Sequence, residues 1–416
     1  MSDRIAILGG RVFDGIGSAP IVDGAVIIDG SKITEVGPRS QVRVPSGARA
    51  VEIGEQFVLP GLINAHDHLS WDVVEGEEIG DLESLLRQDN AHLALRAARN
   101  GANFLKSGVT TIRNMGDVRF VDLQYRRAFD CGLLPGPRIL ASGPWVVTTH
   151  AWITFPGVPT CDGPEEVRKF VRANLRAGVD QIKVFVGGEL LGLCNTNPHL
   201  TYITQEELET AIGEAHAKQK KVGAHIMSSR SEGFKWAVEA GVDAIEHGIW
   251  FTEEDFSWMK SKGVSLVLTG GRWFDGGGGE IVKTMYPDAQ EILRVWYERV
   301  FQSGVLFAVG VDGWGEVGAM QGEVERMVRL GLGNREAIVA ATKNGAIVCG
   351  MEDRLGTLEA GKIADIVVVD GDPLSDISAL RDVSLVIKSG RICYSRDAGF
   401  ANGVPDFPFQ SASAAR

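Results

Sequence analysis

The sequence predicts an α/β fold, a (β/α)8 TIM barrel with a small β-sandwich domain formed from both chain ends. Both ends of the chain are rich in short alternating strands and tight turns, whereas the long middle repeats a unit of helix, glycine and buried strand. A chain of 416 residues, 44% of them hydrophobic, is long enough to bury the core of such a barrel.

The two chain ends have the pattern of one small β domain. The N-terminal segments RIAILGGRVFD, GAVIIDG and KITEVG include a hairpin turn at Asp29-Gly30, and the C-terminal segments ADIVVVDGD and SLVIKSGRICY include another at Ser389-Gly390. We expect a β-sandwich from residues 1–58 and 351–400, a barrel over residues 59–350, and a tail over residues 401–416.

The middle of the chain repeats a strand signal that follows a helix. It recurs as KSGVTTIRN, RAGVDQIKV, EAGVDAIEH, KSKGVSLVLT and QSGVLFAVG. The glycine suits a left-handed helix cap, and the β-branched run after it suits a buried parallel strand. Three more segments, LINAHDH, RILASG and KKVGAHIM, complete eight strands alternating with helices, the pattern of a (β/α)8 barrel.

Composition limits the classes of partner and the compartment. A net charge of -12 and a pI near 5.3 argue against a nucleic-acid partner and leave a small-molecule substrate open. The start MSDRIAILGG lacks a signal-peptide pattern, and no stretch reaches the length of a membrane span, so we expect a cytoplasmic protein without a membrane partner. The five scattered cysteines, without CxxC spacing, argue against a disulfide framework or a cysteine zinc site.

Candidate metal ligands fall at the ends of the predicted strands. His66 and His68 are two residues apart in NAHDHLSWD, so the period of a strand sends both imidazoles to the same side. Four more candidates follow or lie in strands four, five, six and eight: Lys183, His225, His247 and Asp312. Each alone has an ordinary explanation, as a hydrogen-bonded core histidine or a turn aspartate. Together at one end of one barrel they favour a metal site.

The stretch VDQIKVFVGG, residues 179–188, places a lysine inside an apolar strand. A buried ammonium group is costly, so either Lys183 is chemically altered or the segment is not a buried strand. A side chain that reaches the surface or pairs with a buried acid is the ordinary explanation.

Several segments resemble the amidohydrolase superfamily in its binuclear, carboxylated-lysine subtype: FVLPGLINAHDH, IEHG, the Asp312 strand end and LGTLEAGKIADIVVVDGDP. AIGEAHAKQKKVGAH followed by EAGVDAIEHG is similar to the branch that holds imidazolonepropionase-like proteins and the Xaa-Pro and Xaa-Arg/Lys dipeptidases. The resemblance implies a carbamate, formed from CO2 on Lys183, that bridges two divalent metal ions, zinc by default. It also implies a homo-oligomer.

The resemblance assigns a role to each candidate ligand. It implies one metal held by His66, His68, Asp312 and the carbamate, and a second held by His225, His247 and the same carbamate. A hydroxide bridging the metals would attack the substrate carbonyl, with Asp312 as the base.

His150, in VVTTHAWITFPG, matches a family histidine that polarises the carbonyl oxygen. That histidine usually lies in a glycine-rich segment, whereas Thr148, Thr149 and Ala151 surround it here, so its loop differs.

Large rings predict the character of the substrate pocket. Six tryptophans lie near the expected mouth of the barrel: Trp71, Trp145, Trp152, Trp250, Trp273 and Trp314. We assign Trp152, Trp314 and Arg272 to substrate binding, as a pocket for an aromatic or bulky group. Arg113 and Arg230 could likewise hold a substrate carboxylate or be surface charges. The run LTGGRWFDGGGGE, residues 268–280, is either a mobile flap or a plain loop.

The sequence therefore predicts a metal-dependent amidohydrolase that cleaves a peptide-like amide, an N-acyl amino acid or a dipeptide, with an aromatic or bulky group. Within the same chemistry, a urea or carbamate hydrolase and an esterase or lactonase stay open. A heterocycle deaminase is the alternative from another reaction class, and Lys183 argues against it because deaminases of the superfamily generally lack that lysine.

Overall fold

The computed structural model describes residues 4–16, 19–71, 87–151, 153–154, 158–189, 197–271, 286–313 and 316–397. In chain order its strands are β1 Arg4–Val12, β2 Ile21–Val22, β3 Gly24–Asp29, β4 Lys32–Pro38, β5 Arg49–Pro60, β6 Leu62–Asp67, β7 Val109–Asn114, β8 Arg138–Leu140, β9 Gln181–Phe185, β10 Lys221–Ser228, β11 Ala244–Trp250, β12 Ser265–Leu268, β13 Phe307–Val309, β14 Ile366–Val369, β15 Val383–Lys388 and β16 Arg391–Ser395.

Strands from both chain ends form one mixed sheet. Within the described ranges its order is β16-β15-β14-β5-β1-β3-β4, and the short strand β2 pairs with β1. Strand β1 runs parallel to β5, and β14 runs antiparallel to β5, so the C-terminal strands extend the sheet that the N-terminal strands begin. Ile5 and Ile7 are buried on one face of β1, and Ala6 and Leu8 are buried on the other. The predicted β domain from both chain ends is confirmed.

Strands β6 to β13 form the barrel in two parallel ladders, β6-β7-β8 and β9 through β13. Backbone hydrogen bonds close both gaps between the ladders. The amide of Val146 donates to the carbonyl of Lys183 at 2.9 Å, and the amide of Val311 donates to the carbonyl of His66 at 3.0 Å. The predicted barrel is therefore confirmed, and the carboxyl ends of its strands share one rim.

Helices connect the barrel strands and lead from the last of them back to the terminal sheet. They are α1 Asn90–Lys106, α2 Val121–Asp130, α3 Gly163–Ala177, α4 Gln205–His216, α5 Glu232–Glu239, α6 Glu253–Lys262, α7 Ala289–Ser303, α8 Ala319–Arg329, α9 Asn334–Ala340 and α10 Lys343–Val348, with 3-10 turns at Val118–Phe120 and Ile377–Arg381. Helix α4 begins with a capping box between Thr204 and Glu207. Gly178 ends α3 at φ 94°, the left-handed cap that the repeated AGV motif predicts.

A partly buried ion pair joins the barrel to the terminal sheet. Arg138 of β8 donates from Nη1 to Oδ2 of Asp365 at 2.5 Å and from Nη2 to Oγ of Ser389 at 2.8 Å. Among the described residues, no helix has both the length and the apolar character needed to cross a bilayer.

Candidate metal centre

The side chains predicted as metal ligands converge at the carboxyl-end rim of the barrel. Strands β6, β9, β10 and β11, with the segments just after β6 and β13, supply six buried side chains: His66, His68, Lys183, His225, His247 and Asp312. Asp312 Oδ1 lies 3.3 Å from His66 Nε2 and 3.6 Å from His68 Nε2, and its Oδ2 lies 3.9 Å from His247 Nδ1. His66, His247 and Asp312 each offer a ligand atom within 4.8 Å of the others. The structure thus brings together residues that are up to 246 positions apart in the chain.

Each of the four histidines has one ring nitrogen held by an outer partner. Glu246 Oε2 lies 2.7 Å from His66 Nδ1, the Gly116 carbonyl 3.0 Å from His68 Nδ1, the Gly188 carbonyl 3.2 Å from His225 Nε2, and Thr269 Oγ1 2.7 Å from His247 Nδ1. A carbonyl or carboxylate acceptor holds the proton on the ring nitrogen that it faces, so the other nitrogen of His66, His68 and His225 keeps its lone pair for a metal. The Thr269 hydroxyl can accept from His247 Nδ1 in the same way.

Three of the four imidazoles, those of His68, His225 and His247, are neutral because they are buried. Burial lowers the pKa of His68 and of His247, and it lowers the pKa of His225 to about 3. The neutral ring is the form that binds metal ions.

An unusual backbone conformation lets two consecutive residues of β11 serve the same centre. Strand alternation would send Glu246 and His247 to opposite faces. His247 has φ 77°, in the left-handed region that side chains rarely adopt, and this breaks the alternation. Glu246 can therefore contact His66 while His247 faces His225.

A buried ion pair lies behind His66. Arg113 Nη1 donates to Glu246 Oε1 at 2.8 Å, and Arg113 Nε donates to Gln181 Oε1 at 2.6 Å. Burial alone would raise the pKa of Glu246, but Arg113, His66 and Lys183 outweigh it and lower that pKa to about 2. The suggestion that Arg113 holds a substrate carboxylate is wrong, because its guanidinium is fully buried and already paired with Glu246.

Lys183 is buried in the middle of this arrangement. Its Nζ makes no hydrogen bond with the residues that the structure describes and lies 5.3 Å from the centre of the Phe185 ring. Burial lowers its pKa to about 8, against the opposing effect of Glu246 and Asp312. A lysine of this kind has an appreciable neutral fraction near neutral pH.

The sequence profile of the amidohydrolase family matches residues 57–393, most of the chain. This chain belongs to the amidohydrolase family. Its sequence is 29% identical to the ochratoxinase of Aspergillus niger over 93% of this chain and 86% of the relative.

Two solved structures are also similar to this chain. One is a Xaa-Pro dipeptidase with methionine bound in its active site, at 28% identity and a TM-score of 0.81 over 94% of this chain and 100% of that chain. The other is a prolidase in complex with N-methylphosphonate-L-proline, at 28% identity and a TM-score of 0.84 over 95% of this chain and 100% of that one.

The residues of this amidohydrolase fit a divalent metal ion. Imidazole nitrogens and a carboxylate are the ligands that such ions bind in hydrolases. His66 Nε2 is buried and makes no hydrogen bond with a described residue, although Asp312 is close. We conclude that the chain is a metal-dependent hydrolase whose site includes His66, His247 and Asp312.

One acidic residue of the site was not singled out from the sequence. Glu189, four residues after β9, is buried, and its Oε2 lies 3.5 Å from His225 Nε2. The sequence could have indicated Glu189, because this carboxylate follows Gly187-Gly188 at the end of the strand segment that carries Lys183.

The aromatic residues predicted near the mouth divide into two groups. Trp71 packs on the His68 ring at a centroid distance of 3.7 Å, and Trp145 is fully buried with its Nε1 donating to the Met115 carbonyl. Both support the site from inside the core. Trp152, Trp273, Trp314 and Arg272, with residues 272–280 of the predicted flap, lie outside the described residues.

A second aromatic group lies on the side of the rim formed by β10 and β11. Trp250 packs against His199 at a centroid distance of 5.1 Å and against Tyr286 at 5.6 Å. His199 Nδ1 lies 2.8 Å from Oγ of Ser228, three residues after the predicted ligand His225. His199 was not singled out from the sequence, and the structure places it in this group.

His150 is exposed in the structure. Its ring lies 5.7 Å from that of Tyr202, and the neighbouring Thr149 amide donates to Asp162 at 2.9 Å. Its predicted role on the substrate carbonyl stays a prediction.

Proposed function

We propose that this amidohydrolase is a binuclear enzyme with a carboxylated Lys183, and that it cleaves a peptide-like amide next to an aromatic or bulky group. The observation that carries the proposal is the buried Nζ of Lys183, which makes no hydrogen bond with a described residue while histidine ligands surround it. A carbamate would turn this buried cation into an anionic ligand.

Carbamate formation needs a neutral amine. The lone pair of Nζ adds to the carbon of CO2, a C–N bond forms, and one proton leaves the nitrogen for water. The lowered pKa of Lys183, about 8, makes the neutral amine accessible near neutral pH. A bridging carboxylate would then supply negative charge that neutral imidazole ligands cannot.

The same geometry supports an assignment of ligands. His66, His68 and Asp312 would hold one ion, His225 and His247 the other, and the carbamate on Lys183 would bridge them. When bound, divalent ions lower the pKa of water and polarise the substrate carbonyl, and zinc is the default for these ligands.

Asp312 is placed to move the proton. Its Oδ1 faces His66 and His68, which lie 3.3 and 3.6 Å away. Asp312 would accept the proton of the attacking water as the new C–O bond forms, and would return it to the leaving nitrogen as the C–N bond breaks. His150 stays a candidate for polarising the carbonyl oxygen.

The aromatic group at the rim supports an aromatic substrate. Trp250 and Tyr286 are half-buried beside strands that carry His225 and His247, so a ring bound against them would lie close to the metal ligands. The relatives named above, an ochratoxinase, a Xaa-Pro dipeptidase and a prolidase, are amide hydrolases.

Metal content and turnover test the proposal together. The protein, purified without chelator, is assayed for metal per chain and for cleavage of paired N-acyl amino acids, dipeptides and aryl amides that differ only in an aromatic or methyl side group. Close to two metals and faster cleavage of the aromatic members are expected.

Other outcomes would replace the proposal. One metal per chain with ammonia release from heterocycles would make the protein a deaminase. Cleavage of aryl ureas, carbamates, esters or lactones without amide cleavage would keep the metal chemistry and change the substrate class.

A further inference from the structure

Arg113, Glu246 and His66 form a continuous hydrogen-bonded chain inside the barrel. Arg113 Nη1 donates to Glu246 Oε1 at 2.8 Å, and Glu246 Oε2 lies 2.7 Å from His66 Nδ1. All three side chains are fully buried. The guanidinium also donates to the Ala65 carbonyl at 3.2 Å, next to His66, and to Gln181.

A buried ion pair of this kind needs a reason, because apolar residues of the same volume commonly stabilise a core as well or better. The barrel also makes room for it. A Cβ atom on Gly223 would lie 2.6 Å from both Arg113 Nη2 and Glu246 Oε1. The inward position at residue 223 on β10 is therefore left without a side chain, and the ion pair occupies that space.

We propose that Arg113 is a positioning residue for the metal site, acting through Glu246 to hold His66 in the Nδ1–H tautomer. Arg113 donates from a rigid planar group to Oε1 of Glu246, so it fixes where the carboxylate points and leaves Oε2 facing His66 Nδ1. A carboxylate held by a guanidinium acts as an acceptor toward the ring, which favours the proton on Nδ1 and leaves His66 Nε2 with its lone pair.

The inference rests on the proposed metal site, and zinc affinity tests it without any substrate. Arg113→Met, which keeps the length but no hydrogen bond, is compared with wild type by competition for Zn2+ against a chromogenic chelator. Loss of an outer partner of a ligand histidine weakens metal binding by about 10- to 100-fold. Arg113→Lys, which can still donate to Glu246, is expected to recover most of this loss.

Arg138→Met is the matched control. It removes an arginine that pairs with a buried aspartate, Asp365, at the boundary between the barrel and the terminal sheet. It is expected to lower the melting temperature while its Zn2+ affinity stays within about twofold of wild type.

The outcomes separate the two proposals. No Zn2+ binding by wild type would refute the metal site itself. Strong binding by wild type and equal binding by Arg113→Met would leave the metal site standing and overturn the role of Arg113. If Arg113→Met does not fold, 15N NMR of the wild-type apoenzyme identifies the tautomer of His66 and so tests the inference. A His66 signal of the Nδ1–H tautomer, assigned with His66→Asn, supports the inference, and the Nε2–H tautomer overturns it.

Discussion

Nδ1 of His225 lies 2.9 Å from Nε2 of His247 on the neighbouring strand. Burial lowers the pKa of both rings, so two neutral imidazoles face each other across the rim. The outer nitrogen of each ring is occupied, by the Gly188 carbonyl in one case and by Thr269 in the other. The two nitrogens that face each other are therefore the ones that a shared cation would bind.

Metal removal is expected to destabilise the protein. An ion that binds only the folded state adds about 2.7 kcal/mol when its concentration is 100 times Kd. We expect thermal unfolding of chelator-treated protein to shift to higher temperature on addition of Zn2+, and His247→Ala to lose most of that shift. His216→Ala, which removes an exposed histidine paired with Asp243, should keep it. An unchanged shift in His247→Ala would contradict the ligand role.

Lys183→Ala should lose bound metal and at least about 100-fold in kcat/KM, because the bridging carboxylate disappears. Acetate or propionate should restore part of both. Lys388→Ala provides the comparison, since Lys388 also has a pKa lowered by burial but lies in β15 of the terminal sheet, where it contacts the Gly136 carbonyl. Full metal content and activity in Lys183→Ala would end the binuclear proposal.

Gly223→Ala should lower the free energy of unfolding by about 1–3 kcal/mol, because the new methyl group overpacks the barrel interior. Its Cβ would lie 2.5 Å from Cε of Met115 and 2.6 Å from the Arg113 guanidinium. Gly213→Ala is the control. Gly213 is exposed in α4, and a methyl group there would meet no described atom within 4 Å beyond its own helix, so this variant should gain about 0.5–1 kcal/mol. Urea denaturation of both variants measures the difference, and equal effects would refute the steric argument.

Asp117 should make stability fall as pH rises. Burial and then the neighbouring Asp122 raise the pKa of Asp117 to about 8 from an unfolded value of 3.8. The folded state therefore binds the proton more tightly, and this contribution is fully present below about pH 4 and lost as pH approaches 8. Asp117→Asn should flatten this decline in urea denaturation at several pH values.

Asp376→Asn is the comparison for that measurement. Asp376 is exposed, and its hydrogen bonds with Ser378 lower its pKa. Removing it should leave the decline between pH 4 and 8 in place. An Asp117→Asn variant with the wild-type pH profile would show that Asp117 ionises normally.

Trp250→Ala should change substrate preference. Loss of a ring contact of this size costs about 1.5–3 kcal/mol, so KM for an aromatic amide should rise about tenfold or more while a methyl analogue changes little. Trp258→Ala, on the outer helix α6 where the ring packs on Phe234 at 5.6 Å, should affect stability alone. Equal changes for both amides would place the substrate away from Trp250.

Much of the ligand set could be predicted from the sequence because its signals are local. The two-residue spacing of His66 and His68 fixes a common side of a strand, and the small residue, glycine and valine before each apolar run mark where strands begin. Lys183 could be identified in the same way, because the residues next to it in the chain are apolar. These features depend only on neighbours in the chain.

The partners of the ligands depend on backbone conformation and long-range packing. His247 adopts a left-handed φ although it is not a glycine, so the sequence does not predict this conformation. With an ordinary strand conformation at His247, strand alternation would direct Glu246 away from His66. The Arg113–Glu246 pair spans 133 positions. The sequence does not show whether an arginine at a strand end faces solvent or a carboxylate. Only the packing of the folded chain shows that Arg113 is buried.

The sequence by itself therefore determined the barrel and the domain built from both chain ends, and it predicted the histidine, lysine and aspartate candidates for the metal site, because periodicity and residue chemistry are properties of neighbouring positions. Tertiary structure alone decided which nitrogen of each histidine faces the centre, that His199 joins Trp250 at the rim, and that Glu189 lies beside His225. Those properties follow from contacts between distant segments, whose geometry exists only once the barrel has closed.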